Sequence, residues 1–179
     1  MDPRQEIEAA IGRIALKDRD AFDFLYSKTS AKLFGVCLRV LGNRAQAEDA
    51  LQDAYIKIWN KAGMYQVNGL SPMTWLITVA RNVAIDRKRK SKAKSTEELS
   101  YDLRDPEPDA ETRVVAKGEQ ARIVACLDEL DAQKADAVKR AYLGGESYAD
   151  LAAQYDVPLN TIRTWLRRSL IALKECLSR

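Results

Sequence analysis

Histidine is absent from the 179-residue chain. Imidazole general bases and histidine-containing metal sites are therefore excluded outright. Cysteine is scarce: Cys37, Cys126 and Cys176 are scattered and odd in number. That usage predicts reduced thiols in a cytosolic setting and no disulfide framework. No apolar run approaches the length of a membrane span, and the opening stretch MDPRQEIEAA lacks the apolar core of a secretion signal. The expectation is a soluble cytoplasmic protein with no membrane insertion. Sustained period-two alternation is also lacking, which predicts an all-α fold.

What is present is unevenly spread. The formal net charge is only +3, which by itself says little about partners. The cations, however, gather over Arg81–Lys94 and Arg163–Lys174, with an acidic run between them. Residues 95–113 carry Glu97, Glu98, Asp102, Asp105, Glu107, Asp109 and Glu111, two prolines and few large apolar side chains. This composition predicts a flexible linker between two small helical domains, 1–94 and 114–179. Its like charges would keep it extended and away from an anionic ligand.

Before the linker, Ile7, Ala10, Ile11 and Ile14 recur at helical spacing, and Asp18 or Asp20 is placed to cap a second helix. From Phe22 to Leu41 an apolar seam runs through Leu25, Thr29, Leu33 and Cys37, and Gly42-Asn43 stops it. A third helix, Ala45 to Lys61, turns Leu51, Ala54, Tyr55 and Ile58 inward and Glu48, Asp49, Gln52 and Asp53 outward. Those carboxylates have neither a glycine loop nor a second acidic cluster beside them, so a metal or acid–base site is not indicated. A solvated face and a partner-binding face remain the two readings. After the loop Gly63–Leu70, Ser71 and Pro72 open a helix that is apolar in its first half and almost wholly cationic from Arg87 to Lys94. Thr78, Asn82, Asp86 and Arg89 form a polar row along it.

After the linker, Ile123, Val124, Leu127 and Leu130 share one side of a helix. Asp131 is placed to cap the next, which Gly144-Gly145 breaks. Ser147 with Asp150 has the spacing of a capping box, and Asp156-Val157-Pro158 makes a sharp turn. The helix that follows buries Ile162, Leu166, Leu170 and Leu173. It presents Asn160, Thr161, Arg163, Thr164, Arg167 and Arg168 on its other faces. A short helix, a tight turn and a longer helix bearing amides, hydroxyls and guanidiniums form a helix-turn-helix, whose second helix suits the major groove. An ordinary helical hairpin with a basic solvent face is the alternative.

Three blocks in this order, AEDALQDAYIKIW (47–59), SPMTWLITVARNVAIDRKRK (71–90) and GESYADLAAQYDVPLNTIRTWLRRSL (145–170), resemble the extracytoplasmic-function (ECF) class of bacterial RNA polymerase sigma factors. The resemblance implies a non-enzymatic promoter-specificity subunit that needs no cofactor or metal. Its implied partners are core RNA polymerase, promoter DNA and an anti-sigma factor, in a stress response. Carried onto this chain, Glu48, Asp49, Gln52, Asp53 and Trp59 become polymerase contacts. Tyr65, Arg81, Asn82, Asp86, Arg87 and Arg89 become minus-ten contacts, with either Tyr65 or Trp75 stacking on an extruded base. Asn160, Thr161, Arg163, Thr164, Arg167 and Arg168 become minus-thirty-five contacts. The pattern departs at Asn160, where the class often has glycine, and at Arg163-Thr164-Trp165, where it often has Lys-Ser-Arg. A stand-alone helix-turn-helix repressor and a carboxylate-metal nuclease are the competing functions.

Overall fold

The computed structural model describes residues 2–94 and 110–179, with side chains described at 2–93 and 118–179. Every regular element among them is helical. The chain divides into two compact units, Met1–Tyr101 and Asp102–Arg179. Of the expected linker, 95–113, residues 95–109 lie outside the described residues, and 110–113 are helical, because the helix after the linker starts earlier than its apolar pattern marks.

In the N-terminal unit, α1 (Pro3–Ala15) starts on an Asp2 cap with proline at its first position. That arrangement costs no backbone hydrogen bond, because the first N–H groups of a helix have no internal partner. Asp18 caps α2 (Arg19–Leu41), which ends on Gly42 in the left-handed conformation at φ 67°. Asn43 caps α3 (Arg44–Lys61), which runs on into a 3-10 turn, Ala62–Met64. The exposed loop that follows leads into α4 (Pro72–Lys94). The core is formed by Ile11 and Ile14 of α1, Leu25, Leu33 and Cys37 of α2, Ala54 and Ile58 of α3, and Leu76 and Ala80 of α4. Thr29 is the polar member of the α2 seam. Its hydroxyl donates to the Leu25 carbonyl at 2.7 Å and lies 2.6 Å from the Tyr55 hydroxyl. A buried hydroxyl with both roles filled avoids the cost of an unmet hydrogen bond.

In the C-terminal unit, α5 (Ala110–Asp128) begins four residues before the expected domain start at residue 114. Next come α6 (Ala132–Tyr142), capped by Asp131, and α7 (Tyr148–Gln154). Both halves of the Ser147/Asp150 capping box are formed. The chain turns at Asp156, φ 53°, a left-handed position that aspartate tolerates. It then enters α8 (Leu159–Leu177). Leu127, Val138, Ala141, Leu151, Ile162, Leu166 and Leu173 make this smaller core. Ile123 and Val124 do not join it and are nearly half exposed. Among the described side chains of α5, 118–128, Cys126 and Leu127 are the buried ones, so the common side read from the sequence is buried only toward the end of the helix.

The cysteine reading needs correction. Cys126 and Cys176 are joined as a disulfide, with Cα atoms 5.8 Å apart, and Cys37 alone is free and buried. Their separation of 50 residues carried no spacing signal. The packing of α5 against the end of α8 brings them together.

Candidate nucleic-acid interface

At about 100° per residue, the outward arc of α3 runs from Glu48 and Trp59 at one edge, through Gln52 and Ile56, to Asp49 and Asp53 at the other. Glu48, Asp49, Gln52 and Ile56 are exposed. Ile56, 59 % exposed, is an apolar side chain in the middle of a charged arc. The sequence reading passed over it. The available signal was its angular position, which falls outside the inward set at 51, 54, 55 and 58. Trp59 lies at the α2 edge of the arc. Its ring meets Phe22 edge-on at 5.3 Å, and the Lys17 ammonium sits 5.1 Å from the ring centroid. Lys17 Nζ also donates to the Trp59 carbonyl at 3.0 Å. The tryptophan is thus half committed to packing.

At the other edge the carboxylates engage α4. Arg87 donates to Asp53 Oδ2 from Nε at 2.9 Å and from Nη2 at 2.7 Å, and its Nη1 reaches Asp49 at 3.4 Å. Lys57 and Asp86 form a looser pair at 3.9 Å. Residues assigned to two different partners therefore hold each other across α3 and α4. Pairs this exposed are worth about 0.2–1 kcal/mol, so a polymerase surface or a phosphate can replace either member at small cost.

Along α4, Asn82, Asp86 and Arg89 are exposed on one face, and Lys88 and Lys90 extend the cationic end. Arg81 does not join them: it is 2 % exposed, with Nη1 3.5 Å from Asn82 Oδ1. Its guanidinium is turned into the domain, where it supports the neighbouring Asn82 from below the surface. The same face carries Trp75 two turns before Asn82, and Tyr65 of the preceding loop packs on Trp75 with ring centroids 5.6 Å apart. The Tyr65 hydroxyl donates to Glu8 Oε1 at 3.3 Å. Burial first, and then the Glu8 charge, pushes the phenol pKa up, so the group stays a neutral donor. Loop, aromatic pair and polar row thus form one continuous surface ending in cations. The open groove beside it, about 340 Å³, is lined by Gln46, Asp53, Arg87, Lys90 and Ser91.

On α8, Asn160, Arg163, Thr164, Arg167 and Arg168 are exposed and Thr161 is half buried. Asn160 organises the first turn: its side-chain oxygen accepts from Arg163 at 3.2 Å and its carbonyl accepts from the Thr164 hydroxyl at 2.9 Å. Trp165 is held against the core, 6.0 Å from the Tyr155 ring. Tyr155 in turn donates to Asp136 of α6, which also pairs with Arg140. Burial and then Asp136 push the Tyr155 pKa up to about 12. The position where the class often has an arginine thus braces α7 against α8.

Among the described residues no helix is long and apolar enough to cross a membrane. Family models for Sigma-70 region 2 and for Sigma-70, region 4 match residues 25–94 and 120–173. The chain is 31% identical over 175 residues to the ECF RNA polymerase sigma factor SigK of Mycobacterium sp. (strain KMS), covering 96% of this chain and 91% of the relative. It is 32% identical over 175 residues to the SigK of Mycolicibacterium vanbaalenii, covering 96% and 89%. Rhodobacter sphaeroides SigE, solved in complex with the anti-sigma ChrR, is 28% identical. That match covers 99% of this chain and 100% of that one, with a TM-score of 0.49.

Proposed function

Since the chain belongs to the ECF class of RNA polymerase sigma factors, we infer that it binds core RNA polymerase and directs it to promoters, performing no catalysis itself. The observation that carries this reading is the pairing of two unlike surfaces on one small domain. A carboxylate, amide and isoleucine arc on α3 suits a protein partner, and the loop and polar face of α4 suit a separated DNA strand.

The division of labour follows from the chemistry of each surface. Glu48, Asp49, Gln52 and Ile56 face the polymerase, with Asp53 and Trp59 at the margins. Asn82, Asp86 and Arg89, with the 63–70 loop, meet the minus-ten element, and Arg87 joins them by exchanging Asp53 for phosphate. Turning a base out of the stack costs a few kcal/mol, and aromatic stacking returns about 1–3 kcal/mol per base. The cationic end of α4 holds the displaced backbone. In the C-terminal unit, α8 enters the major groove at the minus-thirty-five element. There Arg163, Arg167 and Arg168 supply phosphate and guanine contacts, while Asn160, Thr161 and Thr164 meet other base edges. An anti-sigma protein is the regulator we infer, one that competes for the α3 arc, with a stress response as its setting. The place of action is the cytoplasm, where the polymerase works.

The test is reconstitution with core polymerase and selection of promoters from a random library. Transcription from an enriched two-element promoter is expected. Failure to associate with core polymerase after removal of bound inhibitors overturns the reading. So does tight operator binding by a dimer that needs no polymerase.

A further inference from the structure

Helix α1 lies outside the segment that matches sigma region 2, which begins at residue 25. It nevertheless makes two polar contacts with the loop before α4. Arg4 and Glu8 are four residues apart and so stand one turn apart on the same face of α1. Arg4 Nη2 donates to the Leu70 carbonyl at 2.8 Å, and Glu8 Oε1 accepts from the Tyr65 hydroxyl at 3.3 Å. Tyr65 and Leu70 are the two shoulders of the loop. Between them Gln66, Val67, Asn68 and Gly69 are exposed, Val67 to 71%.

The shoulders are held firmly and the tip is presented. Leu70 is 7% exposed, and Pro72 beyond it is fully buried. The Asn68 side chain accepts from the Leu70 N–H at 3.1 Å, and Gly69 takes φ 81°, which turns the chain back toward α4. Only glycine adopts that angle without strain. Tyr65 is fixed on a second side by the Trp75 ring. Arg4, Glu8 and Tyr65 are each partly buried by these contacts. A tip of four exposed residues would lose conformational freedom on gripping a ligand. Pinning both of its ends beforehand removes part of that cost.

We propose that Arg4 and Glu8 are positioning residues for promoter opening. They hold the shoulders of the 66–69 tip in the shape that receives a nucleobase turned out of the minus-ten element. This rests on the reading of the 63–70 loop as part of the minus-ten reader. Neither residue touches DNA: Arg4 acts through the Leu70 carbonyl and Glu8 through the Tyr65 hydroxyl.

The experiment uses the full chain with core polymerase on a promoter selected by the unaltered protein. Open complexes are counted by permanganate reactivity, alongside core affinity and thermal unfolding. Arg4→Ala and Glu8→Ala should each lower open-complex formation about five- to tenfold, the effect of one lost, partly solvent-exposed hydrogen bond of ordinary strength. Both should also flatten base preference within the minus-ten element, with core affinity and unfolding temperature unchanged. Arg4→Lys should restore much of the loss. Tyr65→Phe should mimic Glu8→Ala, and the two together should be no worse than either alone, since they delete one bond. Opening and base preference equal to the unaltered protein in both alanine variants overturn the proposal. So does a loss that tracks a fall in unfolding temperature and that Arg4→Lys does not repair. If the unaltered chain opens no promoter, the sigma reading itself fails, which is a separate result.

Discussion

The N-terminal unit packs three long helices, α2, α3 and α4, around a broad core, and its one cysteine, Cys37, is buried and in no disulfide. Burial pushes that thiol up to about 11, which leaves it protonated and unreactive. The C-terminal unit packs two helices of 19 residues, α5 and α8, with two short ones, α6 and α7, around a smaller core and joins Cys126 to Cys176. A small domain exposes a larger share of its surface, so its core contributes less and a crosslink contributes proportionally more. The crosslink also ties the end of α8, the helix that carries the proposed major-groove side chains, back to α5. The two units thus differ in what holds the helix proposed to face DNA. In one it is a wide apolar face, in the other a narrow face and a covalent tie.

The harshest test of that contrast combines a cavity with loss of the tie. Leu166 and Leu33 are buried at 2% and 0% exposure in their respective cores. Truncation of either to alanine costs about 2–5 kcal/mol. In a reducing buffer, Leu166→Ala is expected to unfold the C-terminal unit at room temperature. Leu33→Ala should leave the N-terminal unit folded in the same buffer. Near-ultraviolet circular dichroism distinguishes the cases, and equal sensitivity of both units would break the contrast. A milder test is reduction alone. Opening the 50-residue link should cost the C-terminal unit about 2–4 kcal/mol. Calorimetry with and without dithiothreitol should move one transition and leave the other in place.

The smallest effect is in acid, and it sharpens the contrast by giving each unit its own reporter. Asp18 is held below the ordinary carboxylate range by the Ala21 N–H and then by Arg13. Asp136 is held there by the Tyr155 hydroxyl and, after it, by Arg140. A carboxylate with a depressed folded pKa contributes its full stabilisation above the unfolded value, near pH 4, and loses it as pH falls through the folded value. Asp18→Asn should therefore flatten the acid limb of the N-terminal transition only, and Asp136→Asn that of the C-terminal one only. Urea midpoints measured from pH 5 down to pH 2 report both slopes.

The helices and their ends were largely legible in the chain itself, because both signals are local. Apolar spacing marks the inward stripe of α2, α3 and α8. Asp18, Asn43, Asp131 and the Ser147/Asp150 pair cap the helices they precede. The two family-like blocks of cations were legible for the same reason. The accessibility of each candidate contact was not. Arg81 and Asn82 are neighbours in sequence, yet one is buried and the other exposed. Asp53 and Arg87 were assigned to different partners, yet they hold each other across 34 residues. Ile56 lies in a charged arc that residue type alone would not assign to it.

The sequence alone determined that the chain is all helix in two units, where most helices begin, and which stretches carry cations, since each depends on neighbours a few positions apart. The tertiary structure decided which charges meet one another, which arginine is buried, that Cys126 meets Cys176, and that α1 grips a loop 66 residues away. Those outcomes depend on how one helix crosses another, and no spacing within a single helix encodes that crossing.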